Sequence, residues 1–289
     1  MIDTTLAPTA APAAPARART RVRKGPVTYA IRFLVIAYLF LLVAWPVSLV
    51  VTHTFENGFD ALSALFADPD IVHAIRLTII ASVIATVINT VFGVSVSLLL
   101  VRTDFPGKRL LSAMLDLPLA ISPIVVGLAL VLVYGGRGGW FGPALESWGL
   151  QIIFSPVGII LATAFVALPL VIREVVPVLG EVGIEQEQAA QSLGASGWQT
   201  FWRITLPGIR WAIVYGVVLT LARSLGEFGA VKVVSGNILG ETRTATLAVE
   251  ESYLNFNQEG AYAIAFLLAS VSVACIIVVS ILRARAARH

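Results

Sequence analysis

"AIRLTIIASVIATVINTVFGVSVSLLLV", residues 74–101, carries one charged side chain, Arg76, near its start, and none from Leu77 to Val101. A membrane-crossing helix needs about 20 mostly apolar residues, so this stretch is a transmembrane span. Five more stretches meet the same criterion: 30–52, 112–134, 153–173, 208–231 and 261–282. Pro169 interrupts the fourth span in chain order, and Pro118 and Pro123 interrupt the third. Prolines are tolerated in membrane helices where neighbours satisfy the freed carbonyls. The segments between spans are too short for a soluble domain, and no internal repeat is visible. The expected fold is therefore an all-α integral membrane protein with six spans.

Composition agrees. Of 289 residues, 57% are hydrophobic and 13% charged, whereas a soluble domain is usually about 25% charged. The mean hydropathy is +0.88. The chain begins with "TTLAPTAAPAAPA" (4–16) and "RARTRVRK" (17–24), so residues 1–26 are expected to form a disordered basic tail. The membrane-embedded body would run from 27 to 282, with a short basic tail at 283–289. The segment at 27–52 is too long for a signal-peptide core and lacks a small-residue cleavage site, so it reads as an uncleaved first span.

Charge sets the orientation. With the N-terminus inside, inner segments hold Arg17, Arg19, Arg21, Arg23, Lys24, Arg32, Arg102, Lys108, Arg109, Arg173, Arg203, Arg210, Arg283, Arg285 and Arg288. The outer side holds Arg76, Arg137, Lys232 and Arg243, while Arg223 lies within a span. Fifteen against four places both termini in the cytoplasm by the positive-inside rule. The net charge of +3 does not point to nucleic acid, because the basic residues flank apolar runs instead of lining one solvated face. Cys275 is the single cysteine, which excludes an intramolecular disulfide. His53, His73 and His289 show no ligand spacing, so no metal site is expected; nor is there a His/Asp/Glu cluster of the kind a membrane enzyme would need.

On this topology residues 174–207 form the longest inner loop, and the polar stretch "QAAQSLGASGWQTFWRITLP" (188–207) stands out in it. "IEQEQAAQSL" from Ile184 is helical by propensity, and Gly194 ends it. "SGWQTFWRI" reads as a second short helix with Ser196 as N-cap, and its Trp198, Phe201 and Trp202 share one face. Pro207 suits the first turn of the following helix. By physics alone, such an elbow either lies on the membrane surface or docks a partner.

Its spacing resembles the signature loop of ABC-importer permeases. Gln188-Ala189-Ala190 are followed three residues later by Gly194, and nine residues after that by Ile204-Thr205-Leu206-Pro207. The family pattern has Glu where Gln188 stands; Glu187 is adjacent, but one residue on a helix turns a side chain by about 100°. Further stretches are similar to the W-type permease subunit of sulfate/thiosulfate importers: "ADPDIVHAIRLT" (67–78), "DLPLAISPIVVGL" (116–128), "IREVVPVL" (172–179), "GASGWQTFWRITLPGIRWAIVYGVVLT" (194–220) and "RSLGEFGAVKVVSGNILGET" (223–242). LGEFGA is also similar to molybdate permeases.

The resemblance implies a type I ABC importer permease in a bacterial cytoplasmic membrane. It also implies a T-type second permease, two copies of an ATPase, an extracytoplasmic sulfate-binding protein and surrounding lipid. ATP and magnesium would reside on the ATPase and no cofactor on this subunit. Glu187, Gln188, Ala189, Ala190, Gly194, Ala195, Trp198, Phe201, Ile204, Leu206 and Pro207 would form the ATPase-coupling loop. A molybdate or tungstate importer permease is the alternative. An ion-coupled secondary anion transporter would need intramembrane carboxylates or paired broken helices, for which only Asp116 and Glu227 qualify.

A charge within a span is expensive and marks function by default. Arg223 lies about 24 Å along the helix from Pro207, and Glu227 follows at i+4 on the same face. Ala222, Gly226 and Ala230 give an adjacent small-residue ridge for close helix approach. The pair is either a structural lock or an element of an anion path or gate, since arginine offers a fork of donors to an oxyanion. Gly226, Gly229, Asp116 and Ser122 complete the candidate path; Asp116 either lines a cavity or caps a helix at the interface. Arg137, in the glycine-rich outer stretch "YGGRGGWFGP", either contacts the binding protein or belongs to a plain loop.

Overall fold

The computed structural model describes residues 26–286 except Asn57. The expected tail at 1–26 lies outside the described residues except for Pro26; of the expected tail at 283–289, residues 283–286 continue the last helix and 287–289 lie outside the described residues. The chain divides into two units, the first ending at Ser48 and the second beginning at Leu49. The first unit's described part is the apolar beginning of helix α1 (Val27–Thr54), which passes through a π-helical turn at Phe40–Ala44.

The second unit is a helical bundle. Its elements are α2 (Asp60–Ala67), α3 (Pro69–Arg102), α4 (Lys108–Ala120), α5 (Pro123–Tyr134), α6 (Gly142–Ser147), α7 (Pro156–Val182), α8 (Glu185–Ser192), α9 (Gly197–Leu225), α10 (Gly229–Ser235), α11 (Ala245–Leu254) and α12 (Gln258–Ala286). α3 starts at Pro69, ahead of the expected 74. Asp68 accepts hydrogen bonds from the N–H groups of Asp70 and Ile71, and Pro69 occupies the first turn.

α3 also shows what solvates the molecule. Its buried face is mostly small or polar (Ala74, Thr78, Ala81, Ser82, Ala85, Asn89, Gly93 and Ser97), with Leu77, Val94, Val96 and Leu100 among them, while Ile80, Val83, Ile84, Val87 and Val91 face outward. Lipid does not drive apolar side chains inward, so small residues that let backbones meet occupy the interior. At the crossing of α3, α7 and α9, a Cβ on Gly93 would lie 2.9 Å from Val171, and one on Gly216 would lie 3.0 Å from the Val171 Cα. Val94, Val171, Val175, Leu179, Ile209 and Ala212 close around this crossing. Leu65, Ala74, Ala245, Ala248, Ala263 and Ile264 join α2, α3, α11 and α12. Val126, Ile153, Ala162, Val166, Ala230 and Val234 join α5, α7 and α10.

Among the described residues, five helices are long and apolar enough to cross a membrane, and a sixth crossing arises if one bent pair counts as a single span. That pair is the third expected span. It bends by 113° between α4 and α5. Pro123 pushes the preceding Ser122 out of the helical region to φ −59°, ψ 134°, and Ile121 is extended as well.

The prolines of the other spans act differently. At Pro169 the helix continues to Val182, well past the expected end at 173. The Leu168 N–H bonds to Phe165 O, and the fully buried Asn89 donates through Nδ2 to Ala164 O at 2.9 Å. Pro207 does sit in the first turn of an α-helical run, Leu206–Leu225, but a π turn at Phe201–Thr205 joins that run to Gly197–Thr200 without a break. The expected separate short helix is thus the beginning of α9. The fifth expected span, 208–231, ends early at Leu225, and α10 is a distinct helix after the Gly226–Phe228 break.

Candidate functional site

Between α7 and α9 the chain makes a compact elbow. α8 ends at Ser192 with Leu193 as its C-cap, and Gly194 takes the left-handed conformation at φ +88°. The Ala195 N–H reaches Ala190 O at 3.0 Å and the Gly194 N–H reaches Gln191 O at 2.9 Å, the paired bonds of a Schellman motif. Two residues on, Ser196 and Gln199 form a reciprocal capping box that starts α9. The turn satisfies its own backbone, so its side chains are free to face outward. Leu193 is 90% exposed and Trp198 71% exposed, and Gln188 and Ala189 are also exposed.

Trp198, Phe201 and Trp202 form one aromatic cluster, with ring centroids 5.5–6.2 Å apart. Phe201 turns toward the core beside Val94 and Ile209, so it anchors the cluster to the bundle. Ala190, Ala195, Ile204 and Leu206 are half-buried beneath, and Pro207 is exposed. Glu187 behaves differently from its neighbours. It points inward, where its Oε1 accepts from Arg102 Nη2 at 3.0 Å and from Thr205 Oγ1 at 2.9 Å.

The second candidate region lies at the far end of α9. Arg223 Nη1 stands 2.7 Å from Glu227 Oε2, a close ion pair whose angles fall short of an aligned N–H···O bond. The Glu227 side chain is 2% exposed and that of Arg223 40%. The two are not on one helix, because α9 ends at Leu225 with Gly226 as C-cap. The expected ridge of Ala222, Gly226 and Ala230 is therefore not continuous; Ala230 belongs to α10.

Glu227 also performs a task its spacing did not suggest. Its Oε1 accepts the Ala230 N–H at 3.0 Å, at the start of α10, while its backbone carbonyl accepts from Thr246 Oγ1 at 2.9 Å. Around it, Thr78, Ser82, Thr163, Ser224 and Thr244 line a small cavity together with the apolar Ala81, Ile159 and Val231. Gly229 meets the bend between α4 and α5, where an added Cβ would lie 2.9 Å from Pro123. Ser122, exposed at that bend, is the residue before this contact.

Asp116 is not part of this cluster. Its Oδ1 accepts from Arg173 Nε at 3.1 Å and from Nη2 at 2.9 Å, a half-exposed pair that ties α4 to α7. Ser112, Pro169 and Pro177 share the same cavity of about 240 Å³. Arg102, Thr205 and Arg173 were absent from the expected site set. The two arginines entered the sequence argument only as positive charges at span ends, and no local spacing links residue 102 to 187 or 116 to 173. Among the described residues no group of three or more His, Cys, Asp or Glu could hold a metal ion.

Residues 89–288 match the family described as the inner membrane component of binding-protein-dependent transport systems. The sulfate transport system permease protein CysW of Synechocystis sp. is 46% identical over 268 residues, covering 91% of this chain and 97% of that protein. The sulfate transport system permease protein CysT of Escherichia coli is 34% identical, covering 87% of this chain and 91% of its own. Among solved structures, a bacterial ABC transporter involved in the import of the acidic polysaccharide alginate aligns with a TM-score of 0.73 at 19% identity. That alignment covers 91% of this chain and 95% of the other, and at such identity it speaks to the fold alone.

Proposed function

Because the chain belongs to the family of binding-protein-dependent transport system inner membrane components, we propose that it is a permease subunit of an ATP-driven importer moving sulfate and thiosulfate into the cell. The observation that carries this is the self-satisfied elbow at Gly194. It presents Leu193 and Trp198 outward and leads without a break into α9. An apolar tip on a polar loop, held rigid by its own backbone bonds, suits a groove on a partner subunit. The greater identity to the CysW relative than to CysT supports the W-type assignment, with a T-type permease completing the path.

The geometry supplies a mechanism. α9 is 29 residues long, or roughly 43 Å at 1.5 Å per residue. A displacement of the elbow by the ATPase is transmitted along this rod to its other end, where Arg223 and Glu227 sit. Glu227 in turn holds the first turn of α10, which packs against α5 beyond the bend. Motion at the elbow thereby reaches the α4–α5 break, where the path would open. Arg223 stays partly exposed and offers its remaining donors to a passing oxyanion, while Glu227 keeps that attraction from becoming a trap.

In this reading two ATPase copies hold the ATP and magnesium, and an extracytoplasmic binding protein selects the anion. Both termini and the elbow lie on the cytoplasmic side of the inner membrane. Reconstitution of both permeases, the ATPase and the binding protein in proteoliposomes tests it. Radiolabelled sulfate uptake should require ATP and persist when ionophores collapse ion gradients. Uptake that follows an ion gradient without ATP would overturn the importer reading. Preferential uptake of molybdate would overturn the substrate.

A further inference from the structure

We propose that Arg102 and Glu187 are positioning residues that lock the elbow to three spans, so that a push on the elbow moves them together. The inference rests on the elbow being the ATPase contact. Arg102 is the last residue of α3, and its guanidinium is 15% exposed. Nη1 donates to Leu179 O at 3.2 Å, and Nη2 donates to Gly183 O at 2.7 Å and to Glu187 Oε1 at 3.0 Å. Leu179 lies in the last turn of α7 and Gly183 follows it, so one cation both caps that helix and holds α8. The same Glu187 oxygen accepts from Thr205 Oγ1 in the π turn of α9. The end of α3, the end of α7, the elbow and the root of α9 therefore converge on one ion pair.

The contact is built for transmission in two respects. It is largely out of solvent, with Glu187 16% exposed, so screening by salt is reduced. Its donor is a planar fork that serves three acceptors at once, which a lysine ammonium on its single stem reproduces poorly. It also explains why the acid stands at 187 while position 188 carries a neutral amide. The inward side needs the charge to hold Arg102, and the exposed Gln188 has no such partner inside the bundle.

The test uses the assembled transporter in proteoliposomes and reads sulfate taken up per ATP hydrolysed. Arg102→Gln should lower that ratio roughly fivefold or more, the lower end of coupling between distant sites. Arg102→Lys should fall between it and wild type. A wild-type ratio in Arg102→Gln overturns the proposal. So does a lower yield of complex whose surviving fraction keeps the wild-type ratio, since that marks a contact that only aids folding. If Arg102→Gln does not assemble, Thr205→Val deletes one hydroxyl and reads the same ratio, where no change overturns the proposal. Gly194→Val run in parallel separates the two layers. If it transports normally, the elbow reading itself fails; if it uncouples while Arg102→Gln does not, only the lock fails.

Discussion

At Glu227 one carboxylate serves two elements, and its two oxygens divide the work. Oε2 faces Arg223, and Oε1 holds the Ala230 N–H. The i+4 spacing made the ion pair legible in sequence, but the cap on α10 was not, because it exists only where the chain leaves the helix at Gly226. This division decides how the pair should be tested. Glu227→Ala removes both contacts, whereas Glu227→Gln keeps an acceptor for Ala230. Removing Arg223 alone leaves a buried carboxylate uncompensated, a class of change that costs about 3–5 kcal/mol; the half-exposed arginine places it near the lower figure. Arg223→Ala should therefore reduce recovered complex and transport. Arg223→Ala with Glu227→Gln should recover part of both. A double-mutant cycle on transport per recovered complex checks this, and strictly additive effects would exclude a functional pair. Asp116 teaches the converse. Its place in the third span was visible, while its partner Arg173, 57 residues away, was not.

Among the elements, Pro123, Pro169 and Pro207 show how the same residue has different outcomes. Before Pro123 the chain turns by 113°, yet at Pro169 it runs on to Val182 and at Pro207 the helix continues from a π turn. Pro123 and Pro169 look alike in sequence, each an interruption within an apolar span. What differs is whether a neighbour satisfies the freed carbonyls, as Asn89 does at Ala164. The elbow was more legible, since Gly194, Ser196 and the aromatic triplet act over a few residues. Its glycine yields a sharp expectation. A Cβ there meets nothing within 4 Å, so the cost of a side chain is purely that of holding φ at +88°, about 1–2 kcal/mol for an ordinary L-residue. Gly194→Val should uncouple ATP hydrolysis from uptake or release the ATPase while the bundle stays inserted. Gly194→Asn, which visits this conformation more readily, should retain far more transport. Equal loss in both would point to a steric clash with the partner instead of the turn.

For the whole molecule, the orientation argument rests on fifteen cationic residues against four. In a Cys275→Ser background, Ser192→Cys should resist a membrane-impermeant thiol reagent applied to right-side-out vesicles and react once they are opened. Labelling from outside would invert the topology. The apolar spans, the helical class and the elbow with its family spacing were within reach of the sequence. Each depends on residues close together in the chain: a run of apolar side chains, a glycine after a helix, a cap two residues on. Only the tertiary structure decided that the third span breaks, that Arg102 holds Glu187, that Arg173 holds Asp116 and that Glu227 caps α10. A charged or hydrogen-bonding group in a bundle is stabilised by whichever partner the packing brings within about 3 Å, and chain separation places no limit on that choice.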